Sequence, residues 1–387
     1  MRPVLRFKEF TDNWGVCKLS DVCDGFDYGI GASATDFNGV HKYIRITDID
    51  ENSHKYIGNP IVSPDCIPER RYLVNTNDIL FARTGASTGK TYLYDEKDSP
   101  LYFAGFLIRF NVSKANPSFI FYNTLTRNYN NWIKLTSARS GQPGINSEEL
   151  KNYSFQCPSI KEQTKIATFL NLYYKKIELQ KEKVDLLKLQ KHQIINDIFK
   201  IQDKTNYIKL SKLLNQISIK NKNNLDVPVL SVSNKFGFIP QNEQFEEEVA
   251  SDDKSNYKLV KLNQFAYNPA RINVGSIAKL MEPYSCGQIS PMYICFECDS
   301  KINNDFLGYY LLSSTFKKEM QKRLEGSVRM CLTFESMCNI KISLPGLSEQ
   351  QLVVNKLKKI DLKIKTEETK LLLLEKYKQG LLQKMFI

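Results

Sequence analysis

Two stretches of the chain place apolar residues at alternating intervals of four and three, the spacing that turns one face of a helix toward a partner helix. In the first, the seam runs Ile166, Leu170, Tyr173, Ile177, Gln180, Val184, Leu187, Lys191, Ile194 and Ile198. In the second it runs Val353, Leu357, Ile360, Ile364, Glu367, Leu371, Leu374, Lys378, Leu381 and Met385. The spacing predicts two helices of about 40 residues, each a rod of roughly 60 Å. Each follows a proline that ends an extended stretch, with Ser159 or Ser348 near its start and Glu162 or Glu349 in its first turn. Neither helix can bury its seam alone, so the two are expected to clasp each other as an antiparallel coiled coil. Polar groups in a seam are costly unless they meet. That favours a register with Lys191 opposite Glu367 and Gln180 opposite Lys378.

The two helices are copies of one sequence. Residues 158–199 align with 345–386 without a gap, keeping Glu162/Glu349, Gln163/Gln350, Leu170/Leu357, Ile177/Ile364 and Lys191/Lys378. The repeat continues outside them. Tyr43-Ile-Arg-Ile-Thr-Asp lines up with Val229-Leu-Ser-Val-Ser-Asn, Asn77-Asp-Ile-Leu-Phe with Asn263-Gln-Phe-Ala-Tyr, and Lys18-Leu-Ser with Lys209-Leu-Ser. These flanking regions carry aromatic and β-branched runs broken by Gly, Asn and Asp, which predicts several short strands. Helices are expected over 117–135 and 304–324. The fold class is therefore α+β: two mixed α/β domains over 1–157 and 204–344, separated by long helices over 158–203 and 345–387. The order is globular unit, helix, globular unit, helix, a tandem duplication.

Charge adds a partner. The 387 residues carry a net charge of +12, which suggests a polyanion. Residues 1–155 hold 18 basic against 17 acidic side chains, whereas 156–204 hold 10 against 6 and 344–387 hold 9 against 5. The excess sits mainly on the helices, leaving the globular units nearly neutral, so the isolated chain is expected to bind a polyanion weakly. No apolar run approaches the roughly 18 residues that would span a bilayer. The start, Met1-Arg-Pro-Val-Leu-Arg-Phe-Lys, lacks an export signal's apolar core. Nine cysteines without such a signal fit reduced thiols in the cytoplasm. The closest pair, Cys295 and Cys298, lies far from His41, His54 and His192 and from any second such pair, so buried strand thiols are expected rather than a zinc site.

The paired proline-led Glu-Gln helices (Pro158 with Glu162-Gln163; Pro345 with Glu349-Gln350) are joined by two further segments. These are Asn77-Asp-Ile-Leu-Phe-Ala-Arg-Thr-Gly-Ala-Ser-Thr-Gly-Lys and Ser140-Gly-Gln-Pro-Gly-Ile-Asn. Together with the duplication, they resemble the specificity subunit of a type I restriction–modification system over essentially the whole chain. The resemblance implies two target-recognition domains, each reading one half of a split, asymmetric site in double-stranded DNA. It implies helices that act as a spacer and bind two modification (methyltransferase) subunits, with restriction/translocase subunits joining them. This chain would then be non-catalytic and without a cofactor of its own, while S-adenosylmethionine, ATP and Mg belong to the partner subunits. Lengthening the spacer by one helical turn should widen the gap between half-sites by one or two base pairs. The second unit departs from the pattern: Pro269-Ala-Arg-Ile-Asn-Val-Gly-Ser replaces the glycine-rich loop, and Gly326-Ser-Val-Arg-Met replaces Ser140-Gly-Gln-Pro-Gly.

Catalytic motifs fail on inspection. Gly85-Ala-Ser-Thr-Gly-Lys-Thr is one residue short of a P-loop and follows an aromatic strand without βαβ alternation. Asn268-Pro269-Ala-Arg lacks the aromatic end of an amino-methyltransferase motif, and no hydrolase or nuclease constellation is present. Side chains suited to base edges and phosphates in glycine-rich turns are better candidates. In the first unit these are Arg83, Ser87, Lys90, Arg139 and Gln142; in the second, Asn234, Lys235, Arg271, Asn273 and Arg329. The other function class the pattern allows is a coiled-coil scaffold that binds protein rather than DNA. Duplex binding that tracks a split sequence separates the two.

Overall fold

The computed structural model describes residues 2–200, 207–223, 225–244, 255–326 and 330–387. Its long helices run Ile160–Ile198 and Leu347–Met385. The chain divides into two compact units, Met1–Lys181 with Thr369–Ile387, and Glu182–Glu368. Each unit therefore joins one globular part to a stretch of both helices. The architecture is α+β, with the internal repeat visible as the same fold built twice.

In the first unit a four-stranded antiparallel sheet has the order Cys23–Tyr28, Leu107–Val112, Asp78–Ala82, Thr91–Leu93. The strand Asp78–Ala82 is buried on both faces, and its side chains alternate between two cores. Ile79 and Phe81 join the larger core, with Trp14, Phe119 and Tyr129. Leu80 and Ala82 join a smaller one with Ile44, Tyr92 and Phe103. The long helices complete the larger core with Ile166 and Leu170 from one and Leu382, Met385 and Phe386 from the other.

The second unit repeats the order with Leu214–Ile217, Ile294–Cys298, Phe265–Tyr267 and Ile277–Lys279. Phe265 and Tyr267 face the core that takes Ile195, Phe199, Val354 and Leu357 from the long helices, and Ala266 faces the other. The correspondence reaches single contacts. Phe119 meets Phe386 with ring centroids 5.1 Å apart, and Phe306 meets Phe199 at 5.1 Å. Asn77 and Asn263, matched by the repeat, both adopt a left-handed turn, with φ of 72° and 71°.

The repeated Glu-Gln pair acquires a structural meaning. Gln163 Oε1 accepts the Asn116 amide at 2.9 Å, and its Nε2 donates to the Pro158 carbonyl at 2.9 Å. Gln350 does the same with Asn303 at 2.8 Å and Pro345 at 2.9 Å. Each glutamine thus ties the N-cap of a globular helix to the start of a long helix. Glu162 is held in the first unit by Arg6, whose Nε and Nη2 donate to its two oxygens at 2.7 and 2.8 Å.

The helices pair antiparallel within each unit, and the seam residues line the pairing. Ile166, Leu170, Val184, Leu187, Leu357, Ile364 and Leu374 are buried, with Ile177, Lys191, Glu367, Leu371 and Lys378 half-buried. The register differs from the expected one by about a heptad. Glu367 pairs with Lys183 at 2.6 Å, and Lys191 pairs with Asp361 at 2.5 Å. The Lys378 ammonium, expected opposite Gln180, lies 5.1 Å from the Tyr174 ring. The globular part decides this alignment. The Tyr309 hydroxyl donates to Asp361 at 2.6 Å, and the Lys191 ammonium sits 5.6 Å from the same ring.

Two further expectations change. The helix expected over 117–135 is two helices, Pro117–Asn123 and Arg127–Thr136, and that over 304–324 is Asn304–Leu312 and Ser314–Gln321. Thr126 and Ser313 break them by acting as N-caps, accepting from the amides of Tyr129 and Phe316. Cys295 and Cys298 lie on one strand, where burial pushes their thiols up to about 11 and about 12. Among the described residues, no three His, Cys, Asp or Glu side chains gather as a metal ion requires. No described helix is long and apolar enough to cross a membrane.

Candidate nucleic-acid interface

In the first unit the strand Asp78–Ala82 leaves the sheet at Arg83 and returns at Thr91 through a turn containing Gly85 and Gly89. Both glycines have positive φ, +74° and +85°, which side chains resist. The second sequence candidate, the Ser140-Gly-Gln-Pro-Gly segment, lies alongside this turn. Ile145 N donates to the Arg83 carbonyl at 2.9 Å, and Gly85 N to the Pro143 carbonyl at 2.9 Å. Gln142 is exposed, and its amide nitrogen would lie 2.9 Å from a Cβ placed on Gly85. Two segments more than 50 residues apart in sequence thus form one double-loop surface.

Arg83 sits at its edge, half-buried. Its guanidinium lies 4.9 Å from the Tyr28 ring and 6.0 Å from the Phe106 ring. Its Nε is buried without an acceptor, and no described carboxylate lies within ion-pair distance. Phe106 is 56% exposed. The Tyr28 hydroxyl accepts from Ser147 N at 3.0 Å. Burial pushes that phenol up, but the hydrogen bonds with Ser147, the Arg83 charge and a hydrogen bond from Arg83 outweigh it and hold the phenol below its ordinary value.

The remaining candidates of this unit divide. Ser87 is half-buried in the turn, its carbonyl accepting from Lys90 N. Arg139 is exposed, and it donates to the Thr136 and Ala138 carbonyls and to Glu149 at 2.5 Å. Lys90 is a correction. It is 9% exposed, and its ammonium donates to the Ile49 carbonyl at 2.9 Å and to Glu51 at 2.6 Å. Its charge is consumed inside the unit, so it offers nothing to a ligand.

The second unit builds the same turn from different side chains. Asn268 N donates to Ser276 O at 3.0 Å, as Ala82 N does to Lys90 O at 2.8 Å. Leu332 N donates to Pro269 O at 3.1 Å, the counterpart of Ile145 on Arg83. Gly275, at φ +94°, matches Gly89. Arg271 and Asn273 are exposed on this turn. A Cβ on Gly275 would lie 3.6 Å from that of Asn234, so the turn holding Asn234 and Lys235 is its neighbour. Lys235 is exposed, with its ammonium 5.2 Å from the Phe236 ring, and Phe236 is itself 67% exposed. Arg329 lies outside the described residues. The sequence reading missed Tyr28, Phe106 and Phe236. Phe106 and Phe236 each adjoin a glycine at a turn, and that was the available signal.

The sequence profile described as "Type I restriction modification DNA specificity domain" matches this chain twice, over residues 11–189 and 192–376. The chain belongs to that family. Its role is DNA sequence specificity, that of a recognition subunit rather than a catalytic one. The specificity subunit of the type I restriction enzyme MjaVIII from Methanocaldococcus jannaschii is 24% identical over 394 residues, covering 92% of this chain and 88% of that protein. The fold is shared with the type I restriction–modification S subunit of M. genitalium (TM-score 0.58, 15% identity, 100% and 99% of the two chains covered). A chain from a structural study of the complex assembly and conformational transition of the type I R-M system gives a TM-score of 0.61 at 16% identity, with 97% and 98% covered.

Proposed function

We propose that this specificity subunit reads a bipartite, asymmetric site in double-stranded DNA, one half-site per unit. By this reading it directs two modification (methyltransferase) subunits and the restriction/translocase subunits to that site in the cytoplasm. The observation that carries the reading is one double-loop scaffold built twice with unlike side chains. The backbone bonds made by Ala82, Thr88 and Ile145 N recur at Asn268, Val274 and Leu332, yet Arg83 stands where the second unit has Pro269, and Gly85 where it has Arg271. A shared scaffold gives both units the same approach to a duplex, and divergent side chains give each its own base preference. Outside the seam, exposed Leu172 and Leu179 in the first unit and Leu352 and Leu362 in the second suit protein partners. S-adenosylmethionine, ATP and Mg would be held by those partners. Methylome sequencing of cells expressing this chain with type I modification subunits is expected to return a split motif with unlike halves. A continuous or palindromic motif, or no motif, would overturn the reading.

A further inference from the structure

Arg83 is half-buried, yet, like the exposed Arg271, it has no carboxylate partner among the described residues, whereas the half-buried Arg6, Arg45, Arg109 and Arg323 each bond one. Its charge is instead steadied by the faces of Tyr28 and Phe106, with the Tyr28 hydroxyl in hydrogen-bonding reach, while its buried Nε has no acceptor. A half-buried guanidinium fixed by two rings, with no carboxylate partner and its fork only partly satisfied, is set up for a planar partner that offers two acceptors side by side. Guanine presents such a pair, O6 and N7, in the major groove. A phosphate also offers the fork two acceptors but carries no base identity, so the two partners are told apart by whether the contact changes sequence preference.

We propose that Arg83 reads a guanine in the half-site of the first unit, and that the second unit lacks this contact. The proposal rests on the split-site reading above and assigns one base within it. Pro269, the backbone counterpart of Arg83, has no side-chain donor, and the cation of that turn, Arg271, lies two residues further along. The two half-sites therefore differ at the base pair that this loop position faces. The exposed ring of Phe106 beside the guanidinium shields the contact from water and favours the bidentate geometry over a screened charge.

The test uses the full chain expressed with type I modification subunits, comparing wild type, Arg83→Ala, Arg83→Lys, Arg83→Gln and Arg271→Ala by methylome sequencing. Tryptophan fluorescence melts confirm that the Arg83 variants are folded, and circular dichroism melts do the same for Arg271→Ala. The wild-type motif is expected to contain a fixed guanine in one half. Arg83→Ala and Arg83→Lys should relax that base roughly tenfold to a hundredfold, leaving the other half intact. Arg83→Gln should move the preference at that base toward adenine, the base that glutamine pairs with. Arg271→Ala should leave the guanine unaffected. An unchanged motif in Arg83→Ala would reduce Arg83 to a packing role. Full activity of Arg83→Lys, with Arg83→Ala weakening all sequences equally and flattening the salt dependence, would make it a phosphate contact. Either result overturns the proposal while leaving the split-site reading in place. Failure of the wild type to give a split motif would sink that reading itself.

Discussion

The Gln163 side chain is 4% exposed and spends both ends of its amide on backbone groups, the Asn116 N–H and the Pro158 carbonyl. Replacing it with alanine removes both of these bonds and a weaker one to Cys157 Sγ, and leaves two partly buried backbone groups without partners. A net bond contributes about 1 kcal/mol, and an unsatisfied buried group costs about 1–3 kcal/mol. Gln163→Ala should therefore destabilise the first unit by roughly 2–4 kcal/mol. The measurement is unusually clean, because both tryptophans, Trp14 and Trp132, lie in this unit. Their fluorescence follows its unfolding in urea, where a slope of about 1–3 kcal/mol per molar turns the loss into a midpoint shift of roughly 1 M or more. Gln163→Met, which keeps the volume, should lose nearly as much as alanine. A shift below about 0.3 M in both variants, under 1 kcal/mol at these slopes, would show that water replaces the amide at no cost, and the clamp argument would fail.

Lys90→Ala strips a buried ammonium from the Ile49 carbonyl and from Glu51, and should cost roughly 1–3 kcal/mol in the same melts while leaving the methylated sequence unchanged. A changed sequence would restore Lys90 to the interface. His54 is held below its ordinary value by burial, helped by the Lys90 and Lys378 charges and opposed by the Thr91 carbonyl and Glu51. The unfolded chain then takes up the proton first, so the first unit is at full strength above about pH 6.5 and weakens as pH falls below it. His54→Asn, which tolerates the left-handed φ of 55°, should flatten that part of the stability curve, and a curve of unchanged slope refutes the assignment. Phe386→Ala removes the ring packed on Phe119 and should cost about 3–5 kcal/mol in the tryptophan-detected transition.

The duplication and both seams were legible because a repeat and a 3.5-residue period are written directly in residue type. The register was not. A slip of one heptad keeps every apolar layer intact, and the alignment is chosen by Tyr309 with Asp361 and Lys191, a contact between the globular part and the helices. Thr126 and Ser313 were cap residues set in otherwise helical patterns, and the apolar periodicity masked them. At the interface, glycine-flanked Arg83 and Gln142 could be picked out singly. Their joining through Pro143 and Ile145 depends on long-range backbone pairing with no local signature. Lys90 failed for the complementary reason: nothing near it in sequence announces Glu51 as its partner, 39 residues away.

The first unit takes Leu382, Met385 and Phe386 into its core, whereas the second uses only residues 182–368. On a translating ribosome, the portion synthesised first must therefore wait, its apolar interior open, until after the later portion has fully emerged. Domains usually mature in the order in which they are made; here the division of the core favours the reverse order, with the early half completed last.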